Sequence, residues 1–340
     1  MKPHTLPILA GMFAFLIVIA SSQASAYDCD AGCQAHIEQG VQLYNQFEYD
    51  QAKAVFQAEA EKGNAHARYW LGVAQYETGQ YSLAGDSFLQ AAEMGDPWAM
   101  DLMVPGGLRN PCDFRGWSCD ESWKEKALKG WAELVELGDG KAKYAYYSNQ
   151  DYWWEYIPFY RQKKRNEYYD DIIESGGYGL LMSDSIFDNE DKHLEYLIKA
   201  AENGYAPAMF KLFYADKYIG YEKAHYWIFE ALNLGYHKAA KFLSYSFEKG
   251  TNGFEIDYLS SYYYHRLAVN LGSDISGEPT TYKNIDDGFG GFLKDEHGNF
   301  VKEILVTTEQ QAEIDKKVEA FLQHVKPNRF WDETTHKLFN

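Results

Sequence analysis

The chain has 340 residues, with 50 Asp and Glu against 32 Lys and Arg, so its formal net charge is −18. This balance argues against a protein that binds nucleic acid or grips an anionic membrane, because both depend on clustered basic side chains. Hydrophobic residues make up 46% of the chain, which is enough to bury a core and excludes wholesale disorder.

Residues 1–26 have the pattern of a cleavable secretory signal. Lys2 precedes an apolar run from Leu6 to Ala20, which is short for a helix that must cross a bilayer. Ala24-Ser25-Ala26 supplies the small residues of a cleavage site, so we predict a cut after Ala26. The alternative is an uncleaved N-terminal anchor. We expect a periplasmic or secreted protein that makes no stable membrane insertion once the signal is removed.

The four cysteines form two local groups, Cys29 with Cys33 and Cys112 with Cys119. Four cysteines allow three connectivities, and the sequence does not choose among them. We predict local disulfides, because residues four apart share a helix face and the second pair would close a short loop. Zinc binding is the alternative, but neither pair has C-x-x-C spacing, and the nearest histidine, His36, has no second partner nearby.

A period of 32 residues runs through the first part of the mature chain. Five residue types recur at this offset: Tyr49, Ala52, Phe56, Gly63 and Ala67 are followed by Tyr81, Ala84, Phe88, Gly95 and Ala99. Periods of about 20–50 residues are typical of solenoids. Within each unit the spacing is helical, and small residues let two antiparallel helices approach while an aromatic ring fills the groove beside them. We therefore predict stacked helix pairs.

These residues resemble tetratricopeptide and Sel1-like repeats. The resemblance rests on Ala67-x-x-x-Leu71-Gly72 and on Ala84-x-x-x-Phe88-x-x-Ala91-Ala92-x-x-Gly95, whose ending is closer to the Sel1-like form. Further copies contain Ala200–Gly204 with Ala208 and Leu212, Ala224 with Trp227, Ala231, Gly235, Ala239 and Leu243, and, more faintly, Ala127, Trp131, Gly138 and Ala142. The resemblance implies an all-α fold, an α-solenoid of antiparallel helix pairs, over residues 27–275. Phe213 and Ser244 stand where the family has Gly, so we expect those pairs to pack differently.

Two segments interrupt the array. Residues 104–121 hold the second cysteine pair among prolines and glycines and should form a stapled loop. Residues 144–169 contain eleven aromatic side chains in 26 positions. Within this segment, basic residues at 161, 163, 164 and 165 come directly after the aromatic run that ends at Tyr160. Since Tyr and Trp are common in binding hot spots, six of these aromatic residues are our partner-binding candidates: Tyr152, Trp153, Trp154, Tyr156, Phe159 and Tyr160. The alternative is that these rings fill a core between irregular helices.

Residues 276–340 differ from the repeats and should form a small α/β cap. Phe292–Lys294 and Phe300–Lys302 flank a turn-rich segment, which predicts a β-hairpin. Thr308 and Gln311 have the spacing of a capping box, and an apolar stripe follows it before Pro327. The expected role is to cover the last repeat, because terminal repeats need a polar outer surface; a binding module is the alternative.

No motif for catalysis, a cofactor or a metal ion is recognisable. Nucleophile-elbow, phosphate-loop, zinc-protease and dinucleotide patterns are missing from the sequence, and the ten histidines are scattered. Paired carboxylates for glycoside hydrolysis cannot be recognised from sequence. Some secreted Sel1-like proteins that carry a cysteine pair in each repeat are associated with β-lactams, and this chain lacks that pattern. We therefore predict no cofactor and no enzyme activity.

The leading functional hypothesis is a non-enzymatic protein-interaction scaffold in the periplasm. Its partner would be another protein, either a basic effector or an envelope component, because charge complementarity favours a basic partner for an acidic groove. The resemblance implies two specific forms, an immunity protein or a regulator of envelope signalling. The alternative is an envelope hydrolase or ligand-binding protein directed at peptidoglycan or β-lactams, and a structural role in an envelope complex ranks third.

Overall fold

A computed structural model describes residues 29–106, 111–182, 190–326 and 330–335. The predicted signal, residues 1–26, and positions 107–110 of the predicted loop lie outside these ranges. The first helices are α1 (Ala31–Asn45), α2 (Tyr49–Glu61), α3 (Ala65–Glu77), α4 (Tyr81–Glu93), α5 (Pro97–Leu102), α6 (Pro111–Arg115), α7 (Ser122–Glu136), α8 (Gly140–Ser148), the 3-10 helix η1 (Trp153–Tyr156) and α9 (Pro158–Glu174).

The second half continues the same all-helical pattern and ends in a small sheet and a last helix. It contains the 3-10 helix η2 (Tyr178–Met182), α10 (Glu190–Glu202), α11 (Ala206–Phe213), α12 (Asp216–Ile219), α13 (Tyr221–Asn233), α14 (His237–Lys249), α15 (Tyr258–Asn270), β1 (Tyr282–Asn284), β2 (Lys302–Ile304) and α16 (Thr308–Leu322). The strands are antiparallel, with Tyr282 opposite Ile304. The fold is thus the predicted α-solenoid with a small C-terminal α/β addition.

In the first half of the array, a glycine followed by Asn or Asp separates successive helix pairs. Gly63 and Gly95 adopt φ values of +93° and +103°, which an L side chain rarely adopts. The next residue then caps the following helix: the carboxamide of Asn64 accepts from the Ala67 amide at 2.7 Å, and Asp96 does the same for Ala99 at 2.8 Å. These caps satisfy backbone donors that a helix start leaves unpaired. The 32-residue period therefore marks pair boundaries.

Small residues set the contact between the helices of each pair. A Cβ atom added at Gly72 in α3 would come within 2.6 Å of the Phe88 ring in α4, and Gly40 in α1 stands in the same relation to Phe56 in α2. The repeated alanines and phenylalanines are fully buried: Ala52, Phe56, Ala67, Ala84, Phe88 and Ala99. The helical interpretation of the period is confirmed.

The two departures from the repeat pattern, Phe213 and Ser244, make side-chain contacts that glycine could not make. Phe213 is buried and packs edge-on against Phe242, with ring centroids 4.9 Å apart. Ser244 donates a hydrogen bond from Oγ to the Ser261 carbonyl at 3.1 Å. A ring and a hydroxyl therefore fill the space that glycine would leave for a neighbouring helix.

Both predicted disulfides form between local partners. Cys29 and Cys33 have Cα atoms 5.5 Å apart, and those of Cys112 and Cys119 are 5.8 Å apart. Cys29 precedes the N-cap Asp30, so the first pair ties a helix start to the residue before it and does not lie wholly within a helix face. The second pair holds Trp117, whose ring packs against α4 at Gly85 and Phe88.

The C-terminal helix packs on the last helix of the array, with Ile314 and Val318 buried at α16. Its capping box is made by Thr307 and Gln310, one residue earlier than predicted. Adjacent threonines and adjacent glutamines made two registers possible, and Thr307 has the extended backbone that an N-cap requires. The predicted hairpin is present as a Lys294–Phe300 bridge, whereas the two named strands, β1 and β2, pair outside it.

The two ends of the array touch. The ring of Phe47, just after α1, lies 5.3 Å from that of His237 at the start of α14 and also packs against Gly272 after α15. The helix pairs therefore curve until the first meets the last. We call the face enclosed by this curve the inner surface; it includes Asn45, His66, Lys141 and His237.

Candidate protein-interaction surfaces

The aromatic segment forms an exposed cluster at η1 and the start of α9. Trp153 is 68% exposed, Tyr156 82% and Phe159 97%. The ring of Tyr160 stacks on that of Trp153, with centroids 5.8 Å apart. We call Trp153, Tyr156, Phe159 and Tyr160 the aromatic patch.

Buried neighbours hold this patch in place. Trp154 is only 5% exposed and stacks on Tyr152 at 5.1 Å and Tyr168 at 5.7 Å. Glu155, which directly follows Trp154, accepts a hydrogen bond from Arg165 Nη2 at 2.6 Å. This ion pair ties η1 to α9, so the exposed rings project from a fixed base.

The structure thus divides the six sequence-predicted residues between two environments. Tyr152 and Trp154 join the aromatic stack beneath, while the other four form the patch. The core-filling interpretation applies to Tyr152 and Trp154, whereas the other four residues are exposed. Partner binding at the patch stays a prediction.

The basic residues beside the patch are largely paired. Lys164 lies 2.5 Å from Glu167, and Arg165 binds Glu155. Lys163 reaches Glu167 at 4.0 Å. Because these pairs reduce the net positive charge, the apolar rings are the more distinctive feature of this surface.

The inner surface holds the chain's own C-terminal segment, residues 330–335, which the sequence reasoning missed. The Asn45 side chain pairs with both backbone groups of Trp331: Nδ2 donates to the carbonyl oxygen at 2.9 Å, and Oδ1 accepts from the amide at 2.7 Å. Phe330 and Trp331 are 2% and 8% exposed. The Trp331 ring lies 5.1 Å from Phe47, and Phe330 lies 5.1 Å from Tyr236.

A buried charge cluster completes this contact. Glu333 accepts from Lys141 Nζ at 2.5 Å and lies 3.0 Å from His66 Nε2. His66 Nδ1 lies 2.9 Å from Asp96, so one imidazole bridges two carboxylates. The Trp70 indole also donates to Glu333, at 3.3 Å.

The cluster shifts the pKa values of His66 and Glu333 so that each group keeps its charge at neutral pH. Burial alone would lower the pKa of His66, but its hydrogen bonds to Asp96 and Glu333 outweigh this and raise the pKa to about 9. Burial alone would raise the pKa of Glu333, but Lys141 and His66 hold it well below its usual range. At neutral pH the cluster therefore joins charged groups of opposite sign.

The inner surface is therefore neither open nor uniformly acidic at its centre, in contrast to the groove expected from sequence. Own-chain aromatics occupy part of it, and two basic groups, His66 and Lys141, meet Glu333. One signal was present: Phe330-Trp331 followed by Asp332-Glu333 places two large rings and two acids after the helix-breaking Pro327. No repeat pattern links that signal to Asn45 or His66.

Two other kinds of site are absent from the described ranges given above. Among those residues, no helix combines the length and the apolar character needed to cross a membrane. Within the same ranges, no three His, Cys, Asp or Glu side chains are grouped so that they could hold a metal ion.

The similarities of this chain to known proteins are confined to solved structures. No family model matches the chain, and no curated protein does. It is similar to the crystal structure of a Sel1 repeat protein from Oxalobacter formigenes, with 21% identity and a TM-score of 0.36 over 68% of this chain and 96% of that one.

Two further solved structures are similar. The protective antigen c5321 of uropathogenic Escherichia coli, which displays an SLR fold, has 16% identity and a TM-score of 0.38, with 87% of this chain and 63% of that one covered. The immunity protein Pa5087 from Pseudomonas aeruginosa has 18% identity and a TM-score of 0.33, with 72% and 84% covered. The helix pairs, small-residue contacts and glycine turns of this chain form an α-solenoid.

Proposed function

We propose that this protein is a non-enzymatic scaffold that binds another protein through the aromatic patch. The observation that carries the proposal is the contiguous exposure of Trp153, Tyr156 and Phe159 on a fixed base. Exposed apolar patches on soluble proteins mark interaction sites, and aromatic side chains dominate the energy of such contacts.

We place this activity outside the cytoplasm, in the periplasm. The two local disulfides support this, because disulfides persist in oxidising compartments. The signal pattern of residues 1–26 gives independent support from sequence.

The more specific form of the proposal is an immunity protein or an envelope-signalling regulator whose partner is basic. A formal net charge of −18 favours rapid encounter with a basic protein. Charge attraction would then speed the encounter, and burial of the apolar rings of the patch would supply the affinity.

The test is recovery of a partner from envelope extract with two triple variants. The patch variant carries Trp153→Ala, Tyr156→Ala and Phe159→Ala. The matched control replaces three exposed tyrosines elsewhere on the described surface with Ala: Tyr218, Tyr226 and Tyr245. Because the energy of hot spots is concentrated in a few residues, the patch variant should lose roughly a hundredfold in affinity for the recovered partner, measured by calorimetry.

The control should keep that affinity within about threefold. Equal binding by all three proteins would refute the patch as the docking site. Co-expression with a toxin encoded beside this gene tests the immunity form: wild type should protect the cell, and the patch variant should not.

A further inference from the structure

We propose that the inner surface is a peptide-binding site which the chain's own residues 330–335 occupy. We further propose that it accepts from another protein a segment in which two adjacent aromatic residues are followed, two positions after the second, by a carboxylate. This site is separate from the aromatic patch, and the inference goes beyond the scaffold function proposed there.

The backbone of the segment is bound as the backbone of a peptide ligand would be. Asn45 pairs with the amide and the carbonyl of Trp331 through one side chain, and this contact is independent of the identity of the bound residue. Residues 330–335 form no helix or strand. In peptide recognition, main-chain hydrogen bonds usually give affinity, and pockets for the side chains give specificity.

The side chains of the segment supply that specificity. Phe330 and Trp331 are buried among rings of the array, as aromatic anchors are in tight interfaces. Glu333 meets both Lys141 and His66. Removal of its carboxylate would take a counter-charge from the buried His66 and the partly buried Lys141. That loss is costly, so the site selects an occupant with an acid at this position.

The segment fills the inner surface incompletely. A cavity of about 380 Å³ lies beside Glu333 and Trp98, and one of about 580 Å³ lies beside Asp332. The second is lined in part by Tyr205, which is buried and whose hydroxyl has no hydrogen-bond partner. A longer or bulkier segment could use this space and donate to or accept from that hydroxyl.

The experiment uses the full chain with a protease recognition sequence inserted after Lys326. Cleavage leaves the C-terminal segment held without a covalent bond. The probe is a fluorescent peptide with the sequence of residues 326–340, and its binding is followed by anisotropy, while far-UV circular dichroism reports the fold.

We expect the cleaved protein to remain helical and to exchange its segment for the labelled peptide. The uncleaved protein should bind the peptide at least about tenfold more weakly, because the tethered segment competes at high effective concentration. A peptide with Glu333→Gln should bind about tenfold or more weakly, since a charge-assisted contact to buried groups is lost. The matched control peptide, Asp332→Asn, should change affinity less than about threefold, because Asp332 Oδ1 accepts hydrogen bonds from Thr334 of the same segment.

Four results would overturn the inference. Loss of helical structure on release would make the segment part of the core. Failure of the intact, folded cleavage product to exchange peptide, or equal binding of the Glu333→Gln peptide, would remove the recognition site. Exchange only between copies of this chain, seen as a dimer with swapped segments, would assign the site to self-association instead.

Discussion

The inner surface and the aromatic patch use the same residue types in opposite environments. Phe330 and Trp331 have no regular secondary structure, yet both are buried, because Asn45 fixes their backbone and rings of distant helices surround them. Trp153 and Phe159 belong to regular helical turns, yet both face solvent. Whether an aromatic side chain is buried thus depends on the surface against which its backbone is fixed. Regular secondary structure does not by itself imply burial.

Adjacent tryptophans give the strongest test of this comparison. We expect Trp154→Ala to lower the free energy of unfolding by about 3–5 kcal/mol, because it removes a buried ring from the stack with Tyr152 and Tyr168. Urea unfolding monitored by circular dichroism measures the change. A loss below about 1 kcal/mol would contradict the burial of this ring.

Titration of the charge cluster around Glu333 provides a test of what holds Phe330 and Trp331 on the inner surface. His66 has a folded-state pKa of about 9, above its ordinary value of about 6.5. Its charge therefore stabilises the fold fully below about pH 6.5, and this contribution of about 3 kcal/mol is lost as pH rises towards 9.

The measurement is urea unfolding of wild type and His66→Gln at pH 6 and pH 9. The stability difference between them should shrink at the higher pH, while Lys141 and Glu333 keep their charges because their pKa values move away from this window. Replacement of the exposed His297 by Gln is the control and should show no such convergence. A constant difference for His66→Gln would contradict a charged imidazole in the cluster.

Trp117 is half-buried, and so is intermediate between the buried Trp154 and the exposed Trp153. A disulfide holds the loop that carries it. The loop closed by Cys112 and Cys119 spans a sequence separation of seven, and loop-closure entropy assigns such a bond about 2.5 kcal/mol. The double variant Cys112→Ala/Cys119→Ala should therefore lower stability by about that amount. Thermal unfolding with and without reductant measures it, and the variant itself should not respond to reductant at this site.

The smallest effect is expected at the aromatic patch. Trp153→Ala and Phe159→Ala should each change the free energy of unfolding by less than about 0.5 kcal/mol, because both rings are exposed. The same urea titrations provide the comparison with Trp154→Ala. A loss of 2 kcal/mol or more at either position would show that the ring packs against the protein and would weaken its assignment to a partner.

The repeat architecture could be predicted from sequence because its determinants are local and recur. Gly63 and Gly95 end helices, Asn64 and Asp96 start the next ones, and the buried alanines follow the same 32-residue offset. Strand β1 gave no such signal, because its side chains are mostly exposed and show no alternation between a buried and an exposed face.

The sites were harder to predict than the fold. The six aromatic candidates were found by composition, but their division into buried and exposed members depends on how η1 meets α9 through Glu155 and Arg165. The C-terminal segment depends on partners that are distant in sequence: Lys141 is 192 positions from Glu333, and Asn45 is 286 positions from Trp331. No local pattern in the sequence encodes a contact at that distance.

The contact between Phe47 and His237 has a consequence for how the molecule comes apart. In an open array each unit touches only its neighbours, so its ends can fray one at a time. Here the first and last pairs share a ring contact, and fraying at either end must break a link to the other. Backbone amides at the two ends of the helical region should accordingly exchange at similarly slow rates, as expected of one cooperative folding unit.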